Sequence, residues 1–270
     1  MPAPTTAADL EHLLLEMRGS VAVLTFNRPQ RLNAMPPAMF DEIRIAIGLL
    51  AGMGARALVM TGAGRAFCSG VDLSGRTAAV PGTRGPSTHR LLSDQVTPMM
   101  QALAKLRLPV VTAVNGAAAG VGCSLALASD FTLAARSAYF LQAFVNIGLV
   151  PDGGSTWMLS RLIGKARATE MMMLGERISA EKAESWGLIH RAVDDADLMP
   201  QALALAERLA SGPTLALGLM RQGIASGLSQ SYDEALATEA LHQSMCANSA
   251  DAGEGGVAFF ERRKPAFTGA

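Results

Sequence analysis

Asp152 is the residue most suited to chemistry in this chain. No Asp or Glu lies between Asp130 and Asp152, and the run that carries it, Ile147–Leu159 (IGLVPDGGSTWML), is strongly apolar. Phe140, Phe144, Ile147, Leu149, Val150 and Trp157 are its apolar neighbours in sequence. A carboxyl in such a setting is desolvated, its pKa rises, and it becomes a better proton shuttle near neutral pH. The order Pro151-Asp152-Gly153 also reads as an ordinary turn or N-cap. Two further stretches carry backbone chemistry: Gly62–Leu73 (GAGRAFCSGVDL) and Asn115–Asp130 (NGAAAGVGCSLALASD). Both follow β-like runs and are rich in Gly and Ala. In the second, Gly116, Gly120 and Gly122 precede an Ala/Leu helix. A helix start presents unpaired N–H groups and the positive end of a dipole, which suits a developing oxyanion. Two sets of backbone donors and one isolated carboxylate are parts for proton chemistry beside a carbonyl.

Other chemistries fit less well. Gly120 and Gly122 match the first two glycines of a dinucleotide fingerprint, but Leu125 stands where the third is needed, and no GK[ST] follows a Gly-rich loop. Gly122-Cys123-Ser124-Leu125-Ala126 misses the GxSxG nucleophile elbow at Ala126, and a hydrolase would then need His190 or His242 as base. The four histidines form no HxxxH, so no zinc site is expected.

The elements that position these segments alternate. Val21–Phe26 and Ala57–Thr61 are β-like, and Met39–Ala51 between them has helical spacing through Phe40, Ile43, Ile47 and Leu50. The Gly-, Pro-, Thr- and Arg-rich stretch 74–87 reads as a mobile loop, and Leu91–Leu106 as a helix. Pro109–Val114 is a buried strand candidate, followed by a helix over Cys123–Ala128 and a strand over Phe131–Ala135. Recurring strand–loop–helix units predict an α/β layered core. Beyond Asp197 the pattern turns all-helical: 202–210, 213–224, 232–246 and 256–263. This tail reads as a cap or an oligomerisation element. The expected division is a core over 1–196 and a helical region over 197–270.

The chain has 270 residues, half of them hydrophobic, enough for one large domain or a domain with an appendage. Lys plus Arg and Asp plus Glu are equal at 23 each, which gives no electrostatic footprint for nucleic acid or a membrane surface. Cys68, Cys123 and Cys246 are widely spaced and form no disulfide framework. The N-terminal stretch MPAPTTAADLEHLLLEMRG has acids where a signal peptide is basic, and no 18-residue apolar span occurs. A soluble, cytoplasmic protein is expected.

Taken in order and spacing, these motifs resemble the enoyl-CoA hydratase/isomerase (crotonase) family from about Val21 to Phe267. The resemblance rests on Asn27-Arg28-Pro29 with Leu32-Asn33-Ala34, on Ala66–Leu73, on Pro109-Val110 with Val114-Asn115-Gly116, and on Ile147–Pro151. It continues in Ile178-Ser179-Ala180 with Ala183 and Trp186-Gly187-Leu188, and in Phe259–Lys264. IGLVPDGGSTWML followed by GERISAEKAESWGLI is most similar to members that isomerise ring-epoxidised phenylacetyl-CoA.

The resemblance implies an α/β spiral of ββα units with a C-terminal helical region, and assembly as a homotrimer or hexamer. It implies that the backbone N–H groups of Val71 and Val121 form an oxyanion hole for a thioester carbonyl. Arg28, Arg31, Leu32 and Ala34, with the loop around Ala66 and Ser69, would lie along the coenzyme A moiety, and Arg262 or Lys264 would approach its phosphates. Family hydratases carry two glutamates around one water; at those positions this chain has Ser124 and Phe144, which would line the substrate without acid–base work. Asp152 falls where several isomerases of the family, and a dehalogenase, keep an aspartate. Moving a double bond needs one base, whereas adding water needs an activated water and a proton donor. The expectation is therefore an acyl-CoA isomerase without metal or redox cofactor, coenzyme A entering as part of the substrate. The alternatives are an enoyl-CoA hydratase, a hydrolase or dehalogenase with Asp152 as nucleophile, and a non-catalytic CoA binder. On this reading, Ser124→Ala is nearly silent.

Overall fold

The computed structural model describes residues 10–74 and 84–270. The chain starts with an antiparallel pair, β1 (Leu13–Arg18) and β2 (Val21–Phe26), followed by helix α1 (Pro37–Leu49). Three turns of a spiral follow. Each runs from a strand in one sheet to a short strand in a second sheet: β3 (Ala57–Gly62) to β4 (Ala66–Cys68), β5 (Val110–Val114) to β6 (Ala117–Ala119), and β7 (Phe131–Ala135) to β8 (Tyr139–Leu141). Helices α2 (Gly85–Leu91) and α3 (Thr97–Lys105) close the first turn and α4 (Val121–Leu127) the second. After the third come α5 (Ser155–Leu162) and α6 (Gly164–Leu174). Then β9 (Ile178–Ser179), α7 (Ala180–Ser185) and β10 (Arg191–Val193) end the core strands, and α8 (Leu198–Ala210), α9 (Thr214–Gly227), α10 (Tyr232–Ala247) and α11 (Ala250–Glu261) complete the chain.

The two sheets have the orders β1-β2-β3-β5-β7-β10 and β4-β6-β8-β9. From β2 to β10 the large sheet is parallel. Its inner strands are continuous apolar runs, as strands covered on both faces require: all five residues of β5 are buried. This is the spiral of ββα units expected above.

Several expectations are corrected. The N-terminal stretch contains β1, which pairs fully with β2; residues 1–9 lie outside the described residues. The 74–87 stretch contains the start of α2, while 75–83 lie outside the described residues. The helix expected over Leu91–Leu106 is interrupted by a π-helical turn at Leu92–Val96. Pro98 has no N–H to give to the carbonyl of Asp94, so the regular ladder cannot run through this point. The short strands β6, β8, β9 and β10 were not foreseen, because two- or three-residue strands carry too little periodicity.

The division at 197 is also displaced. α8 packs on β2, β3, β5 and β7 and buries Leu198, Ala202, Ala206 and Ala210, so it belongs to the core. The outer arm is α9 to α11, among which α10 buries no residue within the chain. Among the described residues, no helix is long and apolar enough to cross a membrane, and no cluster of His, Cys, Asp and Glu could hold a metal ion.

Candidate active site

Two loops meet where β4 leaves the second sheet and α4 begins. Gly70 and Gly120 both have positive φ, 102° and 54°. A Cβ on Gly70 would lie 3.1 Å from the carbonyl oxygen of Ala119, and one on Gly120 would lie 3.8 Å from the Cα of Gly70. The two backbones abut at the glycines that directly precede Val71 and Val121. The N–H of Met35 donates to the carbonyl of Gly70 and the N–H of Asp72 to the carbonyl of Met35, both at 2.8 Å. These bonds bracket Val71 and leave its own N–H unused. Val121 is the first residue of α4, where an N–H has no intrahelical acceptor. Among the described residues no hydrogen bond engages either N–H. Two free donors on abutting loops can receive one oxyanion.

Asp152 lies between the 3₁₀ turn Val145–Ile147 and α5, on a loop whose next two residues, Gly153 and Gly154, have φ of 61° and 83°. A Cβ on Gly153 would lie 2.8 Å from the Cβ of Ser124 and 3.5 Å from Cγ2 of Val121. The loop therefore lies directly on α4. Burial pushes the Asp152 carboxyl up to about 6, because an ionised carboxylate loses its hydration there. Its Oδ1 is buried without a hydrogen-bond partner. Its apolar sequence neighbours differ in their own burial. Phe140 and Phe144 are buried, but Ile147, Leu149, Val150 and Trp157 are exposed in the single chain.

Ser124 is fully buried under this loop. Its hydroxyl donates to the main-chain carbonyl of Asp152 at 3.0 Å and lies 2.6 Å from the hydroxyl of Ser155. Nε2 of Gln142, also fully buried, donates to Ser155 Oγ at 3.0 Å. Ser124 is thus enclosed by protein rather than lining the substrate, which corrects its expected role. Phe144 is 8% exposed. Its ring tip lies 3.8 Å from where a Gly120 Cβ would be, so it walls the crease.

The Arg28–Ala34 segment divides. Arg28 turns inward: Nη1 donates to Oδ2 of Asp72 at 2.9 Å and to the carbonyl of Ala34. Ser74 first, then Arg28, holds the Asp72 carboxyl down to about 2. This pair ties the segment to the residue following Val71, so Arg28 is a clamp on the loop and not a free cation for phosphate. Ala66 is buried, and its carbonyl accepts from Nδ2 of Asn33 at 2.7 Å and of Asn115 at 3.3 Å; it too is structural. Leu32 and Asn33 are left-handed at φ of 51° and 55°, a conformation that costs about 1 kcal/mol or more per non-Gly residue. The side-chain bonds of Asn33 to Arg28, Ala63 and Ala66 hold it. Ser69 N–H donates to the carbonyl of Leu32 at 3.0 Å, joining the two loops. Arg31 is exposed at the end of its 3₁₀ turn.

Arg262 and Lys264 are exposed at the far end of α11, which packs on α10. Among the described residues, no hydrogen bond or ion pair joins either to the crease, so one chain alone does not bring them to the site. Neighbouring Arg263 is engaged by Glu254 and Glu261. Ser155, Gln142 and Asp72 were not singled out from sequence. The local signals for them are the PDGGS turn, in which Ser155 opens a helix, and the Ala66–Leu73 motif, which contains Asp72.

Comparison with known proteins identifies the family. A family described as "Enoyl-CoA hydratase/isomerase" matches residues 16–270. A Rhodobacter capsulatus protein named "Probable enoyl-CoA hydratase" is 45% identical, over 94% of this chain and 96% of that protein. The 1,2-epoxyphenylacetyl-CoA isomerase of Escherichia coli is 42% identical, over 96% of this chain and 99% of that protein. The crystal structure of an enoyl-CoA hydratase from Bacillus anthracis superposes with a TM-score of 0.89 at 30% identity, covering 96% of this chain and all of that one.

Proposed function

This chain belongs to the enoyl-CoA hydratase/isomerase family, and from that premise we propose that it is an acyl-CoA isomerase in which Asp152 shuttles the proton. The ionised carboxylate takes a proton from a carbon activated by the thioester and becomes neutral. The negative charge moves to the thioester oxygen, where the N–H groups of Val71 and Val121 receive it. Asp152 then returns the proton to a different carbon of the conjugated system, and the double bond has moved. Only a proton moves, so the reaction needs neither metal nor redox cofactor, and coenzyme A is part of the substrate. The single observation that carries this reading is the carboxyl of Asp152, raised to about 6 with an unpaired buried oxygen, on a loop that lies against α4. Ser124 and Phe144, standing where family hydratases keep glutamates, supply no second acid–base group.

The hydratase reading is favoured by the names of relatives such as the Rhodobacter capsulatus protein. A turnover assay with β,γ- and α,β-unsaturated CoA thioesters in deuterated water separates the two. Double-bond migration with deuterium at carbon, lost in Asp152→Asn, supports isomerase. Formation of the hydroxyacyl thioester without migration replaces it with hydratase. Free CoA or halide release would select the nucleophile reading.

Arg31 and the loop at Leu32 and Ser69 are proposed to border the CoA moiety. Homotrimers or hexamers are proposed for the assembly, supported by the exposed apolar side chains of the outer helices. In such an assembly a neighbouring subunit would cover Ile147, Leu149 and Val150, and Arg262 or Lys264 would serve a CoA site between chains.

A further inference from the structure

We propose that the buried chain Gln142–Ser155–Ser124 positions Asp152 by its main chain, making these three residues positioning residues for the proton shuttle. The inference rests on the isomerase reading for its consequence in catalysis, but its geometry stands apart from it. Gln142, Ser124 and Ser155 are at most 1% exposed. The direction of the bonds is set at both ends. Gln142 Nε2 can only donate, and the carbonyl of Asp152 can only accept. Each hydroxyl between them therefore accepts from the one before and donates onward: Gln142 to Ser155 at 3.0 Å, Ser155 to Ser124 at 2.6 Å, and Ser124 to the Asp152 carbonyl at 3.0 Å, with the Gly120 carbonyl a longer second acceptor at 3.4 Å. The Ser155 N–H, at 3.2 Å, adds a second donor to the same carbonyl.

Everything the chain fixes is backbone. No donor in it reaches the carboxylate, whose Oδ1 is left bare. A donor on the carboxylate would stabilise the charged form and weaken the base. Holding the residue by its carbonyl gives a fixed position without that loss. The same arrangement explains the glycine that directly follows Asp152. Gly153 rests on Ser124 Cβ, where any side chain would collide, and the contact brings the loop within reach of the Ser124 hydroxyl.

The test compares wild type, Ser124→Ala, Ser155→Ala, Asp152→Asn and the double variant Ser124→Ala/Asp152→Asn as full-length chains. Ser124→Ala keeps the Cβ on which Gly153 packs, and Ser155→Ala breaks the same relay one bond earlier. Two readouts are taken: turnover of 3-hexenoyl-CoA, and titration of the ¹³C-labelled Asp152 carboxyl by NMR in the absence of substrate. Each single serine variant is expected to lower kcat by about 10- to 100-fold with KM and the Kd of free CoA within twofold. Ser124→Ala should have no further effect once Asp152 is Asn. The Asp152 carboxyl should titrate lower in both serine variants, as the loosened loop admits water. An unchanged titration, or an equal fold loss in the Asp152→Asn background, would overturn the positioning role. Full activity of Asp152→Asn with an altered titration would instead overturn the isomerase reading and leave the relay intact.

Discussion

The Ser124 hydroxyl donates to the main-chain carbonyl of Asp152 at 3.0 Å, while the Asp152 carboxyl oxygen Oδ1 has no partner. One residue is thus held tightly by its backbone and left unsatisfied at its side chain. An unpaired buried polar atom costs about 1–3 kcal/mol, so folding alone does not account for it. A base that must accept a proton from carbon gains from the same arrangement, because nothing competes for its lone pairs.

Asp152→Asn is expected to keep the fold and the affinity for free CoA and to lower isomerisation by about 10²–10⁴-fold, the usual contribution of a general acid–base group. Stopped-flow or steady-state turnover with a β,γ-enoyl-CoA, beside CoA binding by calorimetry, checks this. Near-normal turnover would remove Asp152 from the mechanism.

The pH dependence follows from the direction of the shift. The folded carboxyl titrates at about 6 against an ordinary 3.8, so the base form, and with it kcat/KM, should fall as pH drops through about 6. Stability runs the other way. A carboxyl whose folded pKa is raised stabilises the fold only when protonated. That contribution is present below about 3.8 and is lost as pH rises to about 6. The shift corresponds to roughly 3 kcal/mol, which partial water access reduces to about 1–2 kcal/mol. Asp152→Asn should therefore melt a few degrees higher than wild type at pH 8 and nearly level with it at pH 4. Equal melting at both values would show that the carboxyl is not desolvated.

The parts of this site readable from sequence were those with a local signal. The Gly-rich segments point to backbone N–H donors, and the lone Asp152 between apolar residues points to a perturbed carboxyl. Long strands such as Val21–Phe26 and Phe131–Ala135 fall where their apolar runs put them. What sequence could not supply was tertiary pairing. Ser124 looked idle because its partner, the Asp152 carbonyl, is 28 residues away, and its substitution was expected to be silent. Arg28 reads as a residue lying along the CoA moiety because nothing local reveals Asp72, 44 residues on. Exposure was equally hidden: Ile147, Leu149 and Val150 are apolar yet exposed in the single chain.

Val121→Pro tests the oxyanion donors. Proline is well tolerated at the first helical position but has no N–H to offer. Turnover should fall by about 10²–10³-fold, beyond what the altered packing of this buried side chain explains. Gly122→Ala gives the opposite pattern: its Cβ would come within 2.5 Å of the Cys68 carbonyl, so stability should fall first. A Val121→Pro enzyme with full turnover would place the oxyanion elsewhere.

Arg28 and Arg31 should separate in kinetics. Arg28→Met leaves Asp72 without its cation and loosens the residue next to Val71, so kcat should drop while KM holds, with a stability loss of about 1–3 kcal/mol. Arg31→Ala, on the exposed side of the same turn, should raise KM by roughly 10-fold with kcat unchanged if it borders CoA. Reversed effects would return Arg28 to the CoA surface.

Assembly is tested at the end of the outer arm. Phe259 and Phe260 are 79% and 85% exposed, with their rings edge-to-face at 5.8 Å. Met220, Ile224, Tyr232 and Leu241 of α9 and α10 are also exposed. Each buried aromatic contributes roughly 1.5–3 kcal/mol, and a chain that keeps so many in water gains by covering them with a second copy. Light scattering should report a trimer or a hexamer. Phe259→Ser/Phe260→Ser should shift it toward monomer, because the ring pair contributes nothing to the core of its own chain. If Arg262 or Lys264 serves a CoA site between subunits, the same variant should weaken CoA binding although it lies outside the Gly70/Gly120 crease. A wild-type chain that is monomeric and fully active would overturn both the assembly and the role given to the tail.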